Sequence, residues 1–195
     1  SRPGIIFGHE FCGQVVEVGS AVTNLKPGDK VIVDPHGPCG YCDACLAGWP
    51  ERCENLYLTE PGLEGQANGM GVFRDGGLTD YTVIPNKFAY KIAQDTPPEL
   101  MALAELLECC GYSIEKLNIH VGDSVCILGA GPIGQMYAAL ARVNGATKVI
   151  VSEPVAYRRN KALEIGATRV VDPNEEDIVK VCMEETNGVG VDHCI

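Results

Sequence analysis

The feature that most restricts the fold is Gly129-Ala130-Gly131-Pro132-Ile133-Gly134, set between an apolar run at 124–128 and a helical pattern at 133–143. Glycines at this spacing suit a strand-to-helix turn. The first permits the tight bend, the second lets a pyrophosphate approach the backbone, and the third lets helix and strand pack closely. Unpaired N–H groups at the helix N-terminus then favour the phosphate charge. The flanking sequence agrees, because strand-like runs at 124–128, 148–151, 169–171 and 189–195 alternate with helical runs at 133–143, 156–165 and 178–185. Such alternation predicts a parallel sheet covered on both faces, a doubly wound α/β arrangement with right-handed crossovers.

Glu153 follows the second of these strands, about 20 residues beyond the glycines, where a carboxylate can accept hydrogen bonds from an adenosine ribose. A dinucleotide is therefore expected, held by Gly129, Gly131, Pro132, Ile133, Gly134, Glu153 and Arg158. A carboxylate at Glu153 would repel a ribose 2′-phosphate, which favours NAD over NADP. Arg158 and Arg159 keep NADP open, since an arginine here can pair with that phosphate; their alternative is a solvated first helical turn. Asn174-Glu175-Glu176-Asp177 reads as an Asn N-cap followed by acids in the first turn of a helix.

Cys39-x2-Cys42-x2-Cys45-x7-Cys53 is the second strong signal. Four thiolates on a short loop can close a tetrahedral zinc shell, and a metal with four protein ligands is structural. Two disulfides or a redox pair are the alternatives; no secretory signal is visible, and that favours zinc and a reducing, cytoplasmic setting. An open metal position must be sought elsewhere. Gly8-His9-Glu10 places an imidazole beside a carboxylate, and Glu105 stands in a predicted helix; a structural pair and an ordinary helix flank are the alternatives.

Before residue 115 the chain is β-rich, with strands predicted at 14–18, 31–33, 78–84 and 88–92, and a helix from 96 to 117. The expected division is therefore 1–115 and 116–195. Lys and Arg number 15 against 26 Asp and Glu, a net charge of −11, which argues against a nucleic-acid partner. The longest apolar stretch, at 125–143, is broken by glycines, Pro132 and Arg142, so no membrane span is expected.

Several motifs together resemble the zinc-containing medium-chain alcohol dehydrogenase family. Gly8-His9-Glu10, Val15-Val16-Glu17-Val18-Gly19, Lys26-Pro27-Gly28-Asp29-Lys30-Val31, the cysteine loop, Asp75-Gly76-Gly77-Leu78-Thr79-Asp80-Tyr81 and the glycine turn occur in that family's order. The resemblance implies a chaperonin-10-like (GroES-like) catalytic domain followed by a Rossmann domain, with catalytic zinc in the cleft between them. It implies His9 as a zinc ligand, and Glu105 points to the polyol (sorbitol or butanediol) dehydrogenase branch, in which Glu10 and Glu105 can both serve the catalytic zinc, exchanging between direct and water-mediated contact. The implied chemistry is oxidation of an alcohol or polyol, zinc lowering the hydroxyl pKa and NAD taking the hydride. A homo-dimer or tetramer is also implied. Set against that family, the chain is expected to be an internal portion, inactive alone, with a further Cys ligand upstream and two more βα units downstream.

Overall fold

The computed structural model describes residues 4–55 and 69–195, in two units, Ser1–Glu105 and Leu106–Ile195, each with its own sheet. In the first unit β1 (Cys12–Gln14), β2 (Lys30–Val33) and β3 (Ala89–Lys91) form an antiparallel sheet in that order, Cys12 opposite Ile32 and Val33 opposite Ala89. Val31 and Val33 are buried while Lys30 and Ile32 are half-buried, the period of two expected of a strand with one face inward.

The strand predicted at 14–18 instead ends at Gln14. Beyond it only Val15 keeps its partners, across the Lys26–Asp29 turn: its N–H donates to the Asp29 carbonyl at 2.9 Å, and its carbonyl accepts from Gly28 at 2.8 Å. Gly28 has a positive φ of 93°, and the buried Asp29 accepts from the Lys26 N–H at 3.0 Å and pairs with Lys91 at 2.8 Å. Residues 78–84 make no ladder, and Pro85 leads into a 3-10 turn, Asn86–Phe88, so that β3 begins only at Ala89. A four-residue helix, α1 (Asp43–Leu46), lies inside the cysteine loop.

The helix predicted at 96–117 is two helices, α2 (Pro98–Met101) and α3 (Ala104–Leu117). The break is a tightened turn in which the Leu103 N–H reaches back three residues to Leu100, at 3.2 Å.

The second unit runs β4 (Ser124–Leu128), α4 (Pro132–Val143), β5 (Lys148–Ser152), α5 (Ala156–Ile165), β6 (Arg169–Val171), α6 (Ile178–Glu185) and β7 (His193–Cys194). All pairings are parallel, in the order β6-β5-β4-β7. Successive residues of the central strands serve opposite faces. Val125, Ile127, Val149 and Val151 pack with Ala138, Ala141 and Ala162 of α4 and α5, while Cys126, Ile150 and Val171 pack with Val181 and Cys182 of α6. This is the doubly wound Rossmann-type sheet that the alternation predicts.

Two details differ from expectation. The N-cap of α6 is Asp177, whose carboxylate accepts from the Val179 N–H at 2.9 Å; Asn174 instead closes a turn on Asp172. The strand expected at 189–195 is confined to His193–Cys194, because Asn187, Gly188 and Gly190 all adopt positive φ and turn the chain just before it. Among the described residues no helix is long and apolar enough to cross a membrane.

Candidate metal and dinucleotide sites

The cysteine loop converges as its spacing predicts. One ligand atom from each of Cys39, Cys42, Cys45 and Cys53 lies within 4.8 Å of the others, and none of the four is in a disulfide. Gly40 and Gly48 take positive φ, 87° and 82°, at the turns that bring the thiols together. Cys39 Sγ accepts from the N–H groups of Tyr41 and Cys42, each at 3.4 Å, and from the Asn55 amide at 3.2 Å. Burial raises the Cys39 pKa, but these donors outweigh it and bring it down to about 6, so this sulfur is a thiolate near neutral pH. A compact, all-sulfur donor set with an ionised member suits zinc. Asn55 is a site residue that spacing alone does not reveal.

In the first unit, ligand atoms of His9, Glu10 and Glu105 also gather within 4.8 Å, His9 Nε2 standing 3.9 Å from Glu10 Oε1. The sequence places Glu105 far from the other two, so their meeting is a product of the fold. Gly8 delivers His9 from a left-handed conformation, φ 97°. The preceding residues run beside Gly76–Leu78: Ile6 and Phe7 carbonyls accept from Gly76 and Leu78, at 2.8 and 2.9 Å, and the Gly8 carbonyl accepts from Gly77 at 2.8 Å. A Cβ at Gly71 or Gly76 would run into the Gly8 backbone, so these glycines allow the close approach. The Asp75 side chain accepts from the Ile6 N–H at 2.9 Å, which gives the Asp75-Gly76-Gly77 motif a structural task. An imidazole with two carboxylates is a donor set that holds zinc. His36, which sequence reasoning misses, meets the His9 ring edge-on with centroids 5.9 Å apart.

The glycine turn lies at the carboxyl end of β4. Gly129 has φ 102° and donates to the Ser152 carbonyl at 2.7 Å, tying the turn to β5. A Cβ at Gly134 would strike the Gly129 carbonyl, whereas one at Gly131 would meet nothing within 4 Å. The third glycine is thus the packing glycine, and the second faces open space where a pyrophosphate can approach. Gly131 is the N-cap of α4 and makes no side-chain cap, Pro132 opens the helix, and Pro132 and Ile133 are exposed.

Glu153 is 3% exposed. Its Oε2 accepts from the Ala130 N–H at 2.8 Å and its Oε1 from Val155 at 2.9 Å. Burial raises its pKa, but these two N–H groups and the charges of Arg158 and Arg159 prevail and lower it, so the carboxylate stays ionised. The two arginines differ. Arg158 is half-exposed, 3.9 Å from Glu153, whereas Arg159 is largely buried against Asp172 and is no part of a solvated turn.

Residues 1–94 match the profile of the alcohol dehydrogenase GroES-like domain, and residues 132–195 that of zinc-binding dehydrogenase. The L-threonine 3-dehydrogenase of Pyrococcus furiosus is 41% identical over 193 residues, covering 98% of this chain and 51% of the relative. The chain thus spans about half the length of the curated relatives it matches. A Sinorhizobium meliloti crystal structure described as a zinc-binding dehydrogenase bound to NADP superposes with a TM-score of 0.82 at 41% identity, over 92% of this chain and 49% of that one. An Escherichia coli oxidoreductase/dehydrogenase of unknown specificity superposes at 0.83 with 32% identity, over 97% and 52%.

Proposed function

Because the chain belongs to the zinc-containing medium-chain dehydrogenase family, we propose that it carries the zinc sites and the adenosine-pyrophosphate site of an NAD-linked enzyme that interconverts an alcohol and a carbonyl compound. The observation that carries this reading is the convergence of His9, Glu10 and Glu105 in a chain that also bears a nucleotide-type glycine turn. Zinc held by these three residues would supply the Lewis acid that lowers the pKa of a substrate hydroxyl, and NAD would accept the hydride.

The residues themselves have separable tasks. Gly8 aims His9, and Glu10 and Glu105 bring two negative charges to a divalent cation. Glu10 is the more open carboxylate, with a side chain 48% exposed, and is the one free to give way as substrate enters. His36 packs edge-on to His9, so a small substrate bound beside His9 would meet it. The four cysteines hold their loop and take no part in the reaction.

For the substrate we propose a small secondary alcohol with a neighbouring polar group. L-Threonine is the first candidate, given the relatives' activity, and a diol or polyol the second. A cytoplasmic homo-dimer or tetramer is part of the same reading. NADP use is the alternative, favoured by the half-exposed Arg158 and by the NADP bound in the Sinorhizobium protein.

The test is metal analysis of the full-length protein with an assay panel of L-threonine, butanediol and sorbitol, each with NAD and NADP. Zinc at both sites and NAD-linked oxidation are expected. Zinc-free, active protein would defeat the metal assignments.

A further inference from the structure

Arg159 joins three segments of the second unit. Its Nη1 donates to the carbonyls of Glu153 and Pro154, both at 2.7 Å, and lies 2.9 Å from Asp172 Oδ2. The arginine sits on α5, the two carbonyls form the bend after β5, and Asp172 directly follows β6. Both partners are largely buried, with side chains 18% and 16% exposed. Asp172 is itself fixed, its Oδ1 accepting from the backbone and side-chain nitrogens of Asn174 at 3.0 and 2.9 Å. The bend that Arg159 grips is the one that carries the Glu153 carboxylate to the Ala130 N–H.

We propose that the Arg159–Asp172 pair is a positioning device for cofactor choice. It locks the bend so that Glu153 faces the glycine turn, and it keeps the Arg159 charge from a phosphate on the adenosine ribose. The inference rests on the reading that a dinucleotide binds at that turn.

Two opposite effects follow. Without the guanidinium, the Glu153 and Pro154 carbonyls lose their donor and the bend loosens. NAD, whose free ribose hydroxyls would bond to Glu153, loses more than NADP. Neutralising Asp172 leaves Arg159 a cation without its counter-charge beside Glu153. A 2′-phosphate there then gains a charge-assisted partner, and NADP binding strengthens relative to NAD.

The experiment is calorimetric titration of the full-length protein with NAD and with NADP, without substrate, alongside circular dichroism of each variant. R159Q is expected to weaken NAD about tenfold and NADP less. D172N keeps the side-chain shape, and it is expected to shift the NAD-to-NADP affinity ratio toward NADP by about threefold or more. Should R159Q fail to fold, D172N alone decides. A D172N protein with the parent ratio makes the pair merely structural and overturns the inference, even if both affinities fall together. A parent that binds neither dinucleotide overturns the cofactor reading too, and it does so before any substitution is made.

Discussion

At the residue scale, small groups with a single geometric task control both sites. The Asn55 amide donates to Cys39 Sγ, beside the backbone N–H groups of Tyr41 and Cys42. Donors to a ligating atom tune its basicity and orientation, so Asn55→Ala is expected to weaken zinc retention by the cysteine loop about tenfold, read by chelator competition. Gly134 has no room for a methyl group, because the Gly129 carbonyl occupies the place. Gly134→Ala is expected to cost about 1–3 kcal/mol in urea unfolding and to weaken NAD binding, since relief requires the turn to open. The cysteines and glycines were legible because their meaning lies in short spacing. Asn55 and His36 were not, because a lone polar residue acquires its role only when folding brings a distant partner to it.

At the element scale, the sequence pattern matches the Rossmann-type strands and helices nearly to their ends up to α6, since continuous apolar runs separated by glycines leave little choice of period, whereas the run at 189–195 yields only the two-residue β7. The first unit is less legible in its sequence. Its strands are three or four residues long, too short for alternation to fix their ends, and Pro85 and the Asp29 turn set them instead. Asp29 joins β2 to β3 through Lys91, and the hydrogen bond from Lys91 lowers its pKa, with the Lys26 N–H assisting against burial. Asp123, Asp172 and Asp192 are likewise lowered in the second unit, chiefly by N–H and hydroxyl donors. A carboxyl whose folded pKa lies below its unfolded value stabilises the fold fully above about pH 4, and that stability is lost as the pH falls through the folded value. The urea midpoint should therefore hold down to about pH 4 and drop as the pH falls below it. Asp29→Asn should lower the midpoint at neutral pH and make the acid decline shallower; an unchanged slope would separate Asp29 from the acid response.

At the scale of the whole molecule, each unit has its own core and its own ligand chemistry, so each should respond to a different reagent. Scanning calorimetry of the full-length protein with a strong zinc chelator should destabilise the unit holding the cysteine loop. NAD at a hundred times its Kd should instead add about 2.7 kcal/mol to the unit holding the glycine turn. Ligands that moved both by the same amount would speak against separate sites. The sheet order has a further consequence, for assembly over time. β7 pairs with β4 and not with β6, its predecessor in the chain, and the Ser124–Asp192 and Asp123–His193 hydrogen bonds, at 2.7 and 2.9 Å, span 68 and 70 residues. The pairs β4–β5 and β5–β6 can form as the chain leaves the ribosome. The far edge of β4 can pair with β7 only once residues up to 194 have been made, and until then that open edge is a template for another chain's strand.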